Sequence, residues 1–223
     1  GGREQRVEIE IPRIGRNRIQ VNRQRLNRTG DLAGVLQVTV FSPDDLDLVK
    51  GGPALRRGWL DLAVASRHPK NISLRSDVER ILKQRNALLR GVHGTRDTDA
   101  AVTLDVWDSK LAETGERLVA ARLELLDEMT TTLAGSYDAV AQAAAHATAR
   151  YQASWDGPLV DALATNRDLD IRRGVTTVGP HRDDVVLSLG EMPARTHASQ
   201  REQRALALAL RLAADGAVRD AGA

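Results

Sequence analysis

The sequence predicts a mixed α/β fold in which a helical stretch separates two segments that contain strands. Three observations predict it. Near the N-terminus Val7, Ile9 and Ile11, and then Ile19 and Val21, alternate with polar residues, the period of a half-buried strand. Apolar residues then recur at helical spacing from 74 to 90 and from about 99 to 149. Finally a strand pattern at 185–189 leads into an apolar helix that begins at Gln200 behind a capping sequence.

Taken in order, the two N-terminal strands form a hairpin across a turn at 12–17 that contains Gly15. Residues 35–41 read as a further strand, apolar enough to be largely buried. Ser42 then suits an N-cap, Pro43 the first helical position, and Asp44 and Asp45 the positive helix end. Gly51-Gly52-Pro53 breaks this short helix and 54–66 restart it. In 74–90 the apolar stripe is Leu74, Val78, Ile81, Leu82, Leu88 and Leu89. Arg75, Arg80, Lys83, Arg85 and Arg90 decorate the rest, a solvated basic face. A loop at 91–96 leads to the helical region 99–149, which Gly115 and Gly135 are expected to divide. The two long helical stretches should pair antiparallel. Residues 152–158 read as a linker, Gly190 and Pro193 as a turn, and the last helix runs to about 214.

Composition excludes several classes. There is no cysteine, hence no disulfide and no thiolate metal site. This suits a reducing cytosol, and a cytoplasmic location is expected. No apolar run approaches the ~20 residues of a membrane span. The five histidines show no ligand spacing with acids, so no metal site is expected. Aromatics make up 3%, too few to support stacking on single-stranded bases. The net charge of +2 is unevenly placed: residues 1–30 carry eight Arg against three Glu. Within that basic end Arg16, Arg18, Arg23 and Arg25 are candidate ligands for DNA phosphates. A solvated strand surface is the plainer alternative.

The sharpest local signal is Ser199-Gln200-Arg201-Glu202, a capping box in front of an unusually apolar helix. An exposed helix N-terminus with free amides and a hydroxyl is a ready anion site. Residues 196–213, from Thr196-His197-Ala198-Ser199-Gln200-Arg201-Glu202-Gln203-Arg204 onward, resemble the signature helix of RecF proteins, which belong with the SMC-type heads among ABC ATPases. Three further blocks agree in order. They are Val40-Phe41-Ser42-Pro43-Asp44-Asp45-Leu46 with Arg56-Arg57 and Leu60-Asp61, then Leu82-Lys83-Gln84-Arg85-Asn86, then Val178-Gly179-Pro180-His181-Arg182-Asp183-Asp184.

The resemblance implies a partial ABC/SMC-type P-loop ATPase head with an inserted α-helical arm. Residues 1–62 would be the β-rich part of the head, 63–170 the arm, and 171–223 a strand pair with the signature helix. It implies ATP and Mg²⁺ as cofactors of the complete family protein. Ser199, Gln200, Arg201 and Glu202 would meet the ATP of a second head in a homodimer. It also implies DNA, single-stranded or gapped, and recombination mediator proteins as partners in replication, repair, recombination and the SOS response. Three features stand out against it. No Gly-x-x-x-x-Gly-Lys-[Ser/Thr] phosphate loop occurs in the 223 residues, so neither ATP nor Mg²⁺ should be held stably by this chain alone, and no catalytic residue is assigned. The chain also opens Gly1-Gly2 without Met, which points to truncation. Arg201, in turn, stands where the family signature has Gly. Other readings stay open: a non-enzymatic DNA-binding or interaction module, or an inactive gene fragment.

Overall fold

In a computed structural model, which describes residues 6–13, 18–26, 42–92, 98–141 and 145–221, the N-terminal alternation becomes an antiparallel sheet. Strand β1 (Val7–Glu10) pairs with β2 (Arg18–Val21), Val7 opposite Val21 and Ile9 opposite Ile19. The apolar set thus shares one face, and Glu8, Glu10, Arg18 and Gln20 share the other. The sequence pattern did not disclose a third strand, β3 (Gln24–Arg25). It follows a two-residue turn in which Asn22 and Arg23 have φ of 51° and 68°. Positive φ at both positions gives the turn whose twist matches the flanking strands. This sheet belongs to a unit spanning Gly1–Val40, and the rest of the chain, Phe41–Ala223, forms a second unit. The expected strand at 35–41 lies outside the described residues.

The second unit begins with a 3₁₀ turn (Pro43–Leu46) that runs into α1 (Asp47–Lys50). The Ser42 amide donates to Asp45 Oδ2 at 2.7 Å, tying off the turn. Helices α2 (Pro53–Arg67) and α3 (Leu74–Gly91) follow as the periodicity predicts. Next comes α4 (Thr98–Ala141), 44 residues without a break. Gly115 and Gly135 therefore do not divide this helix. A glycine costs a helix interior only about 1 kcal/mol, and the flanking residues are good helix formers. Antiparallel packing of α3 on α4 brings Arg85 to Asp108.

The helical expectation fails past Ala141. Residues Ala147–Gln152 form strand β4, antiparallel to β5 (Asp184–Leu189), which continues into β6 (Met192–Pro193). Ala147, Ala149 and Tyr151 stand opposite Leu189, Leu187 and Val185, an apolar face, while Thr148, Arg150 and Gln152 point the other way. Alanine favours helix, but the period of two and the waiting partner strand decide the outcome. A further helix, α5 (Leu159–Arg173), occupies a stretch given no element by the sequence; it ends on Gly174 at φ 64°. After a one-turn helix, α6 (Ala194–His197), comes α7 (Gln200–Ala221), longer than expected.

One core joins these elements. Leu125, Met129, Leu133 and Tyr137 of α4 and Leu206, Ala209, Leu210 and Ala213 of α7 are all at most 1% exposed. The alanines of α7 let the helices approach closely. The far side of α7 covers Leu48 and Val49 of α1 and Leu60 and Val64 of α2. Burial of this stripe fixes the whole helix, and with it the position of its first turn.

Candidate nucleotide-sensing helix and its buried support

At the start of α7 the capping box forms as its residue types require. The Glu202 amide donates to Ser199 Oγ at 3.3 Å, and the Ser199 amide donates to Glu202 Oε2 at 2.7 Å. These bonds from Ser199 hold the Glu202 carboxyl below the usual carboxylate range. Ser199, Gln200 and Arg201 are exposed, so the four expected site residues sit together around an open helix end. Its amides and the Ser199 hydroxyl can face an anion. Gln203, which the sequence reading passed over, is buried. Its Nε2 donates at 3.4 Å to the carbonyls of Ala194 and Arg195, locking α6 to the first turn of α7.

Two of the sequence blocks converge on that helix. Arg211, three turns along α7, donates Nε–H to Asp45 Oδ1 at 3.0 Å, so the Ser42–Asp45 turn is pinned to α7. Asp45 is 4% exposed and thus serves both the turn and α7. The 178–184 block is also a support. Asp184 takes both Nε–H and Nη2–H of Arg56 at 2.8 Å. Arg56 Nη1 in turn reaches the Gly51 carbonyl at 2.7 Å. Asp183 accepts the Ser154 amide at 2.8 Å and the Tyr151 hydroxyl. Burial raises the Asp183 pKa against the pull of those bonds, and burial likewise raises that of Tyr151. The backbone turns here, the Arg182 amide donating to the Gly179 carbonyl at 2.8 Å, and both aspartates reach long-range partners, with Asp184 Oδ1 also accepting the Val185 amide. Both carboxylates find stronger partners in side chains and amides from distant elements.

Two buried arginines organise the rest. Arg122 of α4 forms a fork with Asp61 of α2 at 2.7 and 3.0 Å and donates to the Pro180 carbonyl at 2.8 Å. Arg85 of α3 bonds Asp108 of α4 at 2.5 Å and Asp170 of α5 at 2.7 Å. Arg85 was assigned to a solvated basic face, but it is fully buried. It stands one helical turn beyond Leu82 on the apolar side, and its carboxylate partners, 23 and 85 residues away, leave no local trace in the sequence. His181 sits among these groups, its Nε2 3.1 Å from the Thr176 carbonyl. Burial, with Arg182 and Arg57 nearby, pushes its pKa down to about 4.

The basic N-terminal residues belong to the first unit. Arg18, Arg23 and Arg25 are exposed, and Arg16 lies outside the described residues. Arg18 is not a free cation: Glu10 lies 3.4 Å away. Arg23 projects from the tight turn and Arg25 from β3. Among the described residues no group of three or more His, Asp or Glu could hold a metal ion, and no helix is long and apolar enough to cross a membrane.

No family profile matches the chain. It is 39% identical over 242 aligned positions to the curated DNA replication and repair protein RecF of Cutibacterium acnes (strain DSM 16379 / KPA171202), an alignment that covers 97% of this chain and 61% of that protein. A solved structure of the recombination mediator protein RecF with ATP, from the RecFOR pathway, superposes with a TM-score of 0.74 at 26% identity, over 94% of this chain and 58% of its own. A second, RecF-ATPrS, superposes with a TM-score of 0.77 at 24% identity, over 97% of this chain and 60% of its own, and speaks for the fold. The fold is therefore that of a partial ABC-type ATPase head with a long helix. The chain spans about three fifths of the length of each of these relatives.

Proposed function

The chain is homologous over nearly its whole length to RecF, a DNA replication and repair protein, and from that premise we propose that it supplies the ATP-sensing half of a head-to-head dimer on DNA. In this reading 1–62 and 171–223 are head and 63–170 the arm. Ser199, Gln200, Arg201 and the capped amides of α7 meet the γ-phosphate of ATP bound to a second head. ATP thereby holds two heads together on single-stranded or gapped DNA, in the cytoplasm, where recombination mediator proteins and the SOS response call for it. DNA is gripped through its phosphates by Arg16, Arg18, Arg23 and Arg25. Mg²⁺ would come with the nucleotide.

One observation carries the reading: the first turn of α7 is capped and exposed while the body of that helix is buried on two sides. Donors so fixed pay no reorganisation cost when an anion arrives. The solved relative with ATP supports nucleotide as the anion. The test is association of this chain with the Cutibacterium acnes RecF, followed by sedimentation with and without ATP and Mg²⁺. ATP should shift the mixture to a heterodimer, and Ser199→Ala should weaken it by about tenfold, a hydrogen bond to a charged group being worth roughly 1.5 kcal/mol or more. No ATP dependence, or an unchanged Ser199→Ala variant, refutes the reading.

A further inference from the structure

A cavity of about 190 Å³ lies between α2, α3, α4 and the 178–184 loop, away from the start of α7. Its charged walls are Arg57 and Asp61 of α2, Arg75 and Glu79 of α3, and Arg122 of α4. Four of these five charges are already matched. Both carboxylate oxygens of Asp61 are held by Arg122, at 2.7 and 3.0 Å. Glu79 takes Arg75 Nε–H at 2.8 Å. Arg57 is left over. Its Nη1 donates to the Asp183 carbonyl at 2.6 Å, and among the described residues it makes no ion pair, with Nε and Nη2 unbonded. Burial, reinforced by Arg122, pulls its pKa down, while the Asp184, Asp183 and Asp61 carboxylates pull the other way. His181, neutral on the remaining wall, does not supply one. Gly58 keeps the space between Arg57 and Arg75 clear: a Cβ there would meet only Arg75 Nη1, at 3.9 Å.

We propose that this cavity is a second anion site, with Arg57 as principal ligand and a phosphate group as occupant. The Nε–H and Nη2–H edge of the Arg57 guanidinium is free to meet one oxyanion, while Arg75 on the facing wall is held by Glu79. The occupant is either free phosphate or the phosphate of a nucleotide. The site is independent of the reading of α7, and its test does not touch that helix.

Inorganic phosphate should raise the Tm of the chain saturably at constant ionic strength, and the chain should broaden the ³¹P resonance. Acetate at equal charge should do much less. Gly58→Leu places bulk in the cavity while leaving every charge in place, and leucine is the better helix former. It should fold and lose at least tenfold in apparent phosphate affinity. Arg57→Gln should lose the response as well; if it fails to fold, the Gly58→Leu result alone decides. Adenosine monophosphate saturating at lower concentration than phosphate identifies a nucleotide as the source, and the reverse order identifies free phosphate. A linear, unsaturable response, one matched by acetate, or one that survives Gly58→Leu overturns the proposal.

Discussion

Ser199 and Glu202 are three positions apart, and their reciprocal bonds need nothing from elsewhere in the chain. Arg85 and Arg122 look from the sequence like ordinary solvated arginines, because their partners come from other elements. Arg201 is exposed beside the cap. In the proposed dimer its side chain would stand where the second head approaches, and the amides behind it would already supply donors. Arg201→Gly should therefore tighten ATP-dependent association with the relative by about tenfold, roughly 1.4 kcal/mol. Weaker association of the Gly form in sedimentation makes Arg201 a phosphate ligand instead.

His181 gives a pH signature. Its pKa falls from 6.5 to about 4 on folding, chiefly through burial. The unfolded chain therefore binds a proton that the folded chain refuses between those values. Stability is full above pH 6.5 and declines as pH falls toward 4, by about 3 kcal/mol at 1.36 kcal/mol per unit. Urea midpoints at pH 7 and pH 5 measure it. His181→Gln should flatten the difference, and an equal slope in both proteins would assign the acid sensitivity to other groups.

Among elements, the helices whose apolar stripe is strong, α2 and α3, were legible from periodicity. Strand β4 was not, since Ala147 and Ala149 favour helix until β5 offers them an apolar partner face. Glycines were the other misreading. Gly115 and Gly135 both sit inside α4, for different reasons. At Gly115 a Cβ would lie 2.9 Å from Leu159 Cδ2 and 3.3 Å from Pro180 Cγ, so the missing side chain allows α5 and the 178–184 loop to approach. At Gly135 nothing lies within 4 Å. Alanine relieves the helix penalty at both positions but meets neighbours only at the first. Gly135→Ala should raise stability by up to about 1 kcal/mol, while Gly115→Ala should lower it by about 1–3 kcal/mol through overpacking. Denaturant midpoints of the two variants check the contrast, and the same sign for both would refute it.

The whole molecule joins pieces that the sequence presents far apart. Asp45 and Arg211 are 166 positions apart, and Arg56 and Asp184 are 128 apart. Each pair links one block of the family resemblance to another, so the order of the blocks was legible before the contacts were. What the sequence cannot hide is the missing phosphate loop: the 223 residues contain no Gly-x-x-x-x-Gly-Lys-[Ser/Thr]. Phosphoryl transfer depends on positioning the phosphates and neutralising their charge. A capped helix end offers donors from one side only. Without that loop to cradle the β- and γ-phosphates, the developing charge would be met from one side only. The chain alone should therefore release no phosphate from ATP above a protein-free blank, however pure the sample. Mixed with the Cutibacterium acnes RecF it should alter that protein's turnover, and Ser199→Ala should abolish the alteration, because the α7 cap is the part this chain is proposed to bring to the nucleotide. Turnover by the chain alone that survives repeated purification would mean that some other group here cradles the phosphates.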